Sequence, residues 1–416
     1  MYLKLCCYLY VIVIVLYSLF ILFKYTKFLK KNNINIDDAL KENKGLFIAI
    51  PCLREQKIIE NTIKHFKSIC DLPIVIITTR KEDFECGYDK NYETTKMIVE
   101  KNILNKYNDV YLINYPFESG YMADQLNYMI HNLKSMSFYD DTKEWYMSLY
   151  NADSKPSIKT FKSIYYYINK DKKVIQQYSY CFKNFEKLGF ITKGFAIYQS
   201  NFEIKVGLFN SKLHYRYLYN YVVGHGLTIK LKTLKEMGNF NTKFWCEDIY
   251  LTMKLKYNNV ELSSVPYLEN IENAISVKQI VKQNSVWYNT TRKNILIYKD
   301  IKKEEGKYSF FGLIGCINEF RCAVNWLFFP IIFVINILIS MFLKSIFIFT
   351  LLLISYLFYA FINYIITINT INKFGDKSCK RNISNYISYV MALLISNVGP
   401  INSLMFKKKE KYKTER

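Results

Sequence analysis

Five short polar groups interrupt the apolar stretches of this chain. They are Pro51-Cys52-Leu53-Arg54-Glu55, Asn151-Ala152-Asp153-Ser154-Lys155-Pro156, Gly224-His225-Gly226, Trp245-Cys246-Glu247-Asp248 and Gln283-Asn284-Ser285-Val286-Trp287. Carboxylates recur in them. A carboxylate within hydrogen-bond reach of a hydroxyl can take its proton. A carboxylate together with phosphate oxygens can hold a divalent cation. Taken singly, each group is a weak signal. A carboxylate after a strand is commonly a solvated loop residue or a cap, and a Glu-Asp pair opening a helix often only compensates the dipole. His225, between two glycines, suits a structural loop as well as a ligand contact. His65, His131 and His214 lack metal-ligand spacing. The ten cysteines show no CxxC spacing, which argues against a disulfide scaffold or a zinc site.

The elements that must position these groups alternate between about 45 and 300. GLFIAIP (45–51) and LPIVIITT (72–79) are short apolar runs of the kind found in buried parallel strands. DVYLINYP (109–116) and EWYMSLYNAD (144–153) read as the third and fourth strands. Helical spacing is expected over 55–69, 92–106 and 121–135, with Ile58, Ile59, Thr62, Ile63, Phe66 and Ile69 at that spacing in the first. This β-α order predicts a doubly wound sheet with right-handed crossovers. In such sheets ligands bind beyond the carboxyl ends of the strands, where Glu55 and Asp153 fall.

The ends of the chain have a different character. Of 416 residues, 51% are hydrophobic and 22% charged, with a formal net charge of +22. Apolar content this high excludes a disordered chain. Residues 5–23 carry no charge and nearly span a hydrocarbon core of ~30 Å. Lys24, Lys27, Lys30 and Lys31 follow them, so the positive-inside rule places the next domain in the cytoplasm. Three further uncharged stretches run over 322–343, 345–372 and 382–406, with a basic loop (Lys373, Lys377, Lys380, Arg381) before the last. The last contains Gly399-Pro400, and a full span there would leave the basic tail outside, against the rule. The expected organisation is an anchor (1–31), a soluble α/β domain (40–300), an interfacial helix (301–320), three membrane helices (321–406) and a basic tail (407–416). The Lys excess reads as compositional bias and a membrane surface rather than nucleic-acid binding.

In this order, and flanked by membrane helices, the motifs are far more specific than any one alone. Over about 45–300 the chain resembles a membrane-bound family 2 glycosyltransferase of the cellulose, chitin and hyaluronan synthase type. The resemblance implies a GT-A-type doubly wound mixed sheet in a cytosolic domain of a multi-pass cell-membrane protein. Pro51 and Glu55 match a nucleotide-contacting P-x-x-x-E. Gly120 to Asn127 match a G-x-K-A-x-A-L-N helix. Asn151-Ala152-Asp153 stands where the family has its metal-binding D-x-D. Gly224, Gly226, Lys230, Gly238 and Phe240 follow a G-x-G…R…G-G-F stretch. Glu247-Asp248 matches T-E-D, and Gln283 and Trp287 match the ends of Q-x-x-R-W.

The resemblance implies an inverting transfer from a nucleotide sugar, with a UDP-sugar expected ahead of a GDP-sugar, to a polysaccharide or other glycan acceptor. Asp248 would be the base, with Glu247 as the alternative. Asp153 would hold Mg²⁺ or Mn²⁺. Pro51, Glu55, Asn127, Asn151 and Asp153 would line the donor site, and His225, Gln283 and Trp287 the sugar and acceptor pocket. The chain departs from the pattern at Thr78-Thr79-Arg80 (a second Asp motif in the family), Met122 (Lys), Asn151 (Asp) and Val286 (Arg). Members with the full last motif tend to be processive. The alternatives are therefore a non-processive transferase onto a lipid-linked acceptor and a degenerate, non-catalytic member.

Overall fold

In the computed structural model the described residues are 2–31, 35–88, 92–212, 221–244 and 246–405. Trp245, His214 and the basic tail lie outside them. Two compact units form. One comprises Ile34–Tyr178 and Tyr221–Glu269; the other comprises Met1–Asn33, Ser179–Asn220 and Asn270–Arg416. Residues 179–220 and 270–300 group with the apolar helices.

The first unit is built on a seven-stranded sheet: β1 (Lys44–Pro51), β2 (Ile74–Thr79), β3 (Val110–Tyr115), β4 (Glu144–Leu149), β5 (Val174–Tyr180), β6 (Leu227–Lys230) and β7 (Leu262–Asn270). The order is β3-β2-β1-β4-β6-β5-β7. The four strands expected from sequence are present and mutually parallel, with Ile48 opposite both Ile74 and Ser148. β6 runs antiparallel to β4 and β5, which makes the sheet mixed.

The apolar runs explain the parallel half. Side chains alternate across a strand. Phe47, Ala49, Val75 and Ile77 enter one core, while Leu46, Ile48, Ile50, Ile74 and Ile76 enter the other. The second core is closed by Ile59, Ile63 and Phe66 of helix Ile59–Ile69, the face the spacing predicts. Helix Met122–His131 covers the opposite face with Ala123, Leu126, Met129 and Ile130.

In the other unit, among the described residues, four helical segments are long and apolar enough to cross a membrane: Tyr2–Lys30, Phe310–Phe342, Ile346–Phe374 and Ile383–Met405. The interfacial helix expected at 301–320 is not a single element. Helix Asn294–Glu305 ends at Gly306, whose φ of 64° is left-handed, and a new helix begins at Phe310. Glycine takes that conformation without a Cβ penalty and so stops the helix. The last segment is also interrupted, into Ile383–Leu394 and Val398–Met405. Its second half lies against helix Val277–Thr291, with the Ser285 hydroxyl donating to the Gly399 carbonyl at 3.0 Å.

Helix Phe190–Phe202 crosses helix Ile383–Leu394 closely, because Gly194 has no side chain. A Cβ there would lie 2.1 Å from the Ser388 carbonyl oxygen. Small residues permit such approaches between helices. Gly194→Ala must push the pair apart and should destabilise the protein by about 1–3 kcal/mol. A lowered thermal midpoint in detergent would register this; an unchanged midpoint would refute the close crossing.

Candidate functional site

Asn151 and Asp153 follow β4 in a tight turn. The Ser154 N–H donates to the Asn151 carbonyl at 3.1 Å, and the Asn151 N–H donates to the Ser154 hydroxyl at 3.2 Å. Ala152 and Ser154 are buried, which leaves Asn151 and Asp153 half-exposed on the turn. The sequence places them at the carboxyl end of a parallel strand, and the structure keeps them there.

The loop before β6 reaches the same edge. Leu227 opens β6 opposite Leu149, the last residue of β4. Gly224 therefore sits beside the turn's end of the sheet. Around it are the two candidate bases. A Cβ on Gly224 would lie 3.6 Å from Glu247 Oε1, 3.7 Å from Asp248 Oδ2 and 3.6 Å from the Met122 methyl. Glu247 and Asp248 occupy the first turn of helix Glu247–Tyr257, where the N-terminal dipole favours negative charge. Glu247 is buried and Asp248 half-buried. The Asp248 Oδ1 accepts from the Ile249 N–H at 2.8 Å, and Oδ2 is the oxygen toward Gly224.

One residue that the motifs did not single out ties these pieces together. Glu269, on β7, is buried (1% exposed). Its Oε1 accepts from the Lys155 N–H at 2.8 Å, and its Oε2 lies 3.6 Å from His225 Nδ1. The carboxylate thus bonds the Asp153 turn and faces the Gly224-His225-Gly226 loop. Burial and then the Glu269 charge push the Tyr150 phenol well above its usual range. The loop is further gripped by Gln176, whose amide donates to the His225 carbonyl at 2.7 Å and accepts from the Val223 N–H at 3.1 Å. Gly226 is required: φ is 64°, and a Cβ would meet the Gln177 carbonyl oxygen at 2.6 Å. The sequence signal available for Glu269 was only its position near the end of an unassigned strand.

The remaining expected residues fall into three groups. Pro51 ends β1, and Glu55 follows it, with its N–H donating to the Thr95 hydroxyl at 2.8 Å. The loop between them is held by buried Glu82, which accepts from the Arg54 N–H at 3.0 Å and the Thr95 N–H at 2.8 Å. Asn127 is tied to the Phe240 backbone. Its amide donates to the Phe240 carbonyl at 2.8 Å and accepts from the Phe240 N–H at 3.0 Å. Lys230 pairs with Glu144 at the start of β4, the opposite end of the sheet from Asp153. Gln283 and Trp287 belong to the other unit, one turn apart on helix Val277–Thr291 and both half-buried. Val286 is buried and faces the packing side of that helix, so an apolar residue suits it. Arg292 donates to Asn289 of the same helix at 3.0 Å.

Among the described residues, no group of three or more His, Cys, Asp or Glu side chains gathers to hold a metal. A cation held by one carboxylate, a neighbouring amide oxygen and diphosphate oxygens needs no such group. Asp153 and Asn151 on one turn fit that donor set.

No family model matches the chain, and no curated protein matches its sequence. Among solved structures it is similar to the mannosyltransferase PcManGT from Pyrobaculum calidifontis, determined in complex with GDP-Man and Mn²⁺. The TM-score is 0.59 at 12% identity, over 98% of this chain and 100% of that one. A weaker likeness is to S. aureus TarS 1-349, with a TM-score of 0.42 at 15% identity over 89% of this chain and 93% of that one.

Two substitutions test the assignments made from hydrogen bonding. Asn127→Ala removes both bonds to Phe240 and should lower stability by about 1–3 kcal/mol, seen as a lower urea midpoint; unaltered stability would refute the fastening role. Glu269→Ala strands the Lys155 N–H and should destabilise by a similar ~1–3 kcal/mol, with Glu269→Gln recovering most of it. The mixed seven-stranded α/β sheet has the fold of the GT-A glycosyltransferases.

Proposed function

We propose that this chain is an inverting glycosyltransferase, moving a hexosyl or N-acetylhexosaminyl group from a nucleotide sugar to a glycan or lipid-linked acceptor. The observation that carries this reading is Gly224. It lies within contact distance of both Glu247 and Asp248, in the loop that Glu269, bonded to the Asp153 turn, faces. A substrate entering beside Gly224 meets a base on one side and a cation-binding carboxylate on the other.

The chemistry follows from the groups. The acceptor oxygen forms a bond to the anomeric carbon as the bond to the diphosphate oxygen breaks. The electron pair leaves with the nucleoside diphosphate. Asp248 takes the acceptor proton through Oδ2, the oxygen toward Gly224, with Glu247 shaping its field. Asp153 and Asn151 would hold Mg²⁺ or Mn²⁺, which when bound offsets charge on the departing diphosphate. Glu55 and Pro51 would meet the nucleotide. His225 would contact donor or acceptor. Gln283 and Trp287 would meet sugar, a role supported by their sharing one half-buried helix face.

The chain would be a multi-pass membrane protein with the catalytic unit in the cytoplasm. Lys24, Lys27 and Lys30 in the last two turns of the first apolar helix, with Lys373 at the end of the third and Lys377 and Arg381 after it, support that orientation. The break at 395–397 supports a re-entrant last segment, which would keep the basic tail on the same side.

The test incubates membranes containing the protein with labelled UDP-sugars and GDP-mannose, plus Mn²⁺. Transfer of label supports the reading, and product length separates one added sugar from a polysaccharide. Asp248→Asn should lower turnover by about a hundredfold or more while nucleotide binding persists. Asp153→Ala should abolish the Mn²⁺-dependent part of nucleotide binding. Full activity in Asp248→Asn would sink the base assignment.

A further inference from the structure

The chain between the third and fourth apolar segments folds back on the helix it leaves. Helix Ile346–Phe374 stops at Gly375. The Cys379 N–H then donates to the Asn372 side chain at 2.6 Å, and the Asn372 amide donates to the Cys379 carbonyl at 3.0 Å. The Arg381 guanidinium donates to Asn369 Oδ1. The Asn382 N–H donates to the Tyr364 hydroxyl at 3.2 Å. Each step along the loop thus meets a residue earlier in the helix. At 1.5 Å per residue, Asn369 lies about 7.5 Å back from the last helical residue. Arg381 is therefore held beside the final two turns of the helix, not beyond its end.

This loop is rich in cations. Lys373, Lys377, Lys380 and Arg381 fall within KFGDKSCKR (373–381), and all four are exposed. Among the described residues none of them forms an ion pair. The loop's own carboxylate is used elsewhere. Asp376 accepts from the Tyr180 hydroxyl, which itself accepts from the Lys377 N–H at 3.2 Å. Glu186 acts on the Cys379 thiol by its charge and pairs with none of the four. Four cations against two acids leave a positive excess. Apolar surface begins directly after them. Ile383 opens helix Ile383–Leu394, and it and Ile387, four residues on and so on the same face, are exposed, as is Phe361 of the neighbouring helix. Tyr386 holds the two helices side by side. Its ring meets Phe361 at 5.9 Å, and its hydroxyl donates to the Leu357 carbonyl at 2.8 Å.

We propose that Lys377, Lys380 and Arg381 form a seat for an anionic phospholipid headgroup, with Ile383, Ile387 and Phe361 as the wall for its acyl chains. Asn369 fixes the Arg381 fork by one nitrogen, and its remaining donors suit phosphate oxygens. The lysines supply point charges on stems long enough to reach the headgroup layer. A zwitterionic headgroup carries its own cation and gains little from the positive excess. An anionic one is favoured by about fivefold for each cation near it. Free phosphate would meet the same cations but has nothing to set against the exposed apolar wall, so a lipid is the source argued here. The seat requires these helices to lie in a bilayer; it does not rest on the transferase reading.

The experiment purifies the full chain in a neutral detergent and offers it phosphatidylglycerol and phosphatidylcholine of matched acyl chains in equal amounts. Native mass spectrometry counts the lipids retained. Phosphatidylglycerol should be preferred by about tenfold or more. The double variant Lys380→Gln/Arg381→Gln should lower that preference by about tenfold. Lys344→Gln, just before the opposite end of helix Ile346–Phe374, should leave it unaltered. Should the double variant misfold, Lys380→Gln alone is read, with about a fivefold loss expected. Equal retention of the two lipids, a preference that survives the loss of Lys380 and Arg381, or the same loss in Lys344→Gln overturns the proposal. Displacement of phosphatidylglycerol by millimolar inorganic phosphate would reassign the seat to free phosphate and overturn the lipid source. Mn²⁺-dependent nucleotide binding, measured on the same variants, reports on the transferase reading alone and should persist.

Discussion

A single buried carboxylate holds the candidate site in register. Glu269 accepts a backbone hydrogen bond from Lys155 and faces the imidazole of His225. Its Oε1 is used by the turn after β4, and its Oε2 approaches the loop before β6 at 3.6 Å without a hydrogen bond between them, so both segments lie against one carboxyl group. The Asp153 turn and the Gly224 loop then share an edge of the sheet. Through Gly224 that edge extends to Glu247 and Asp248. Acidic groups nearly a hundred residues apart in the chain are thus joined by a short path of contacts.

The sheet topology makes this possible. Parallel strands β1 and β4 deliver their loops to one end, and β6, running the other way, brings the Gly224 loop to that same end. The antiparallel strand is what converts a row of carboxyl-end loops into a two-sided site. The same reversal explains Lys230. At the far end of β6 it leaves the site and pairs with Glu144, although its place in the motif order suggested otherwise. Asn127 is a related case. An amide at a motif position is used to fasten helix Met122–His131 to the Phe240 backbone, supporting the wall behind Met122.

The other unit shows how apolar helices accommodate polar groups. Gly194 and Gly399 let helices approach at backbone distance. Side-chain amides such as Asn201, which donates to the Thr367 hydroxyl at 2.8 Å, satisfy polar atoms across helices. Helix Phe190–Phe202 and helix Val277–Thr291 belong to this unit. Their membership accounts for the chain dividing differently from its order in sequence.

The sequence by itself determined the four parallel strands, the helix faces that cover them and the apolar helices, because these depend on periodicity and run length, which are local. It also placed Asp153 after a strand and Glu247-Asp248 at a helix start, since motif order and capping are local too. Only the tertiary structure decided which of the matched residues stand together. Hydrogen-bond partners lie far away in sequence: Asn127 meets Phe240, Lys155 meets Glu269, and Lys205 meets Asn363. Residue type records what a side chain can bind; the packing of strands and helices selects what it does bind.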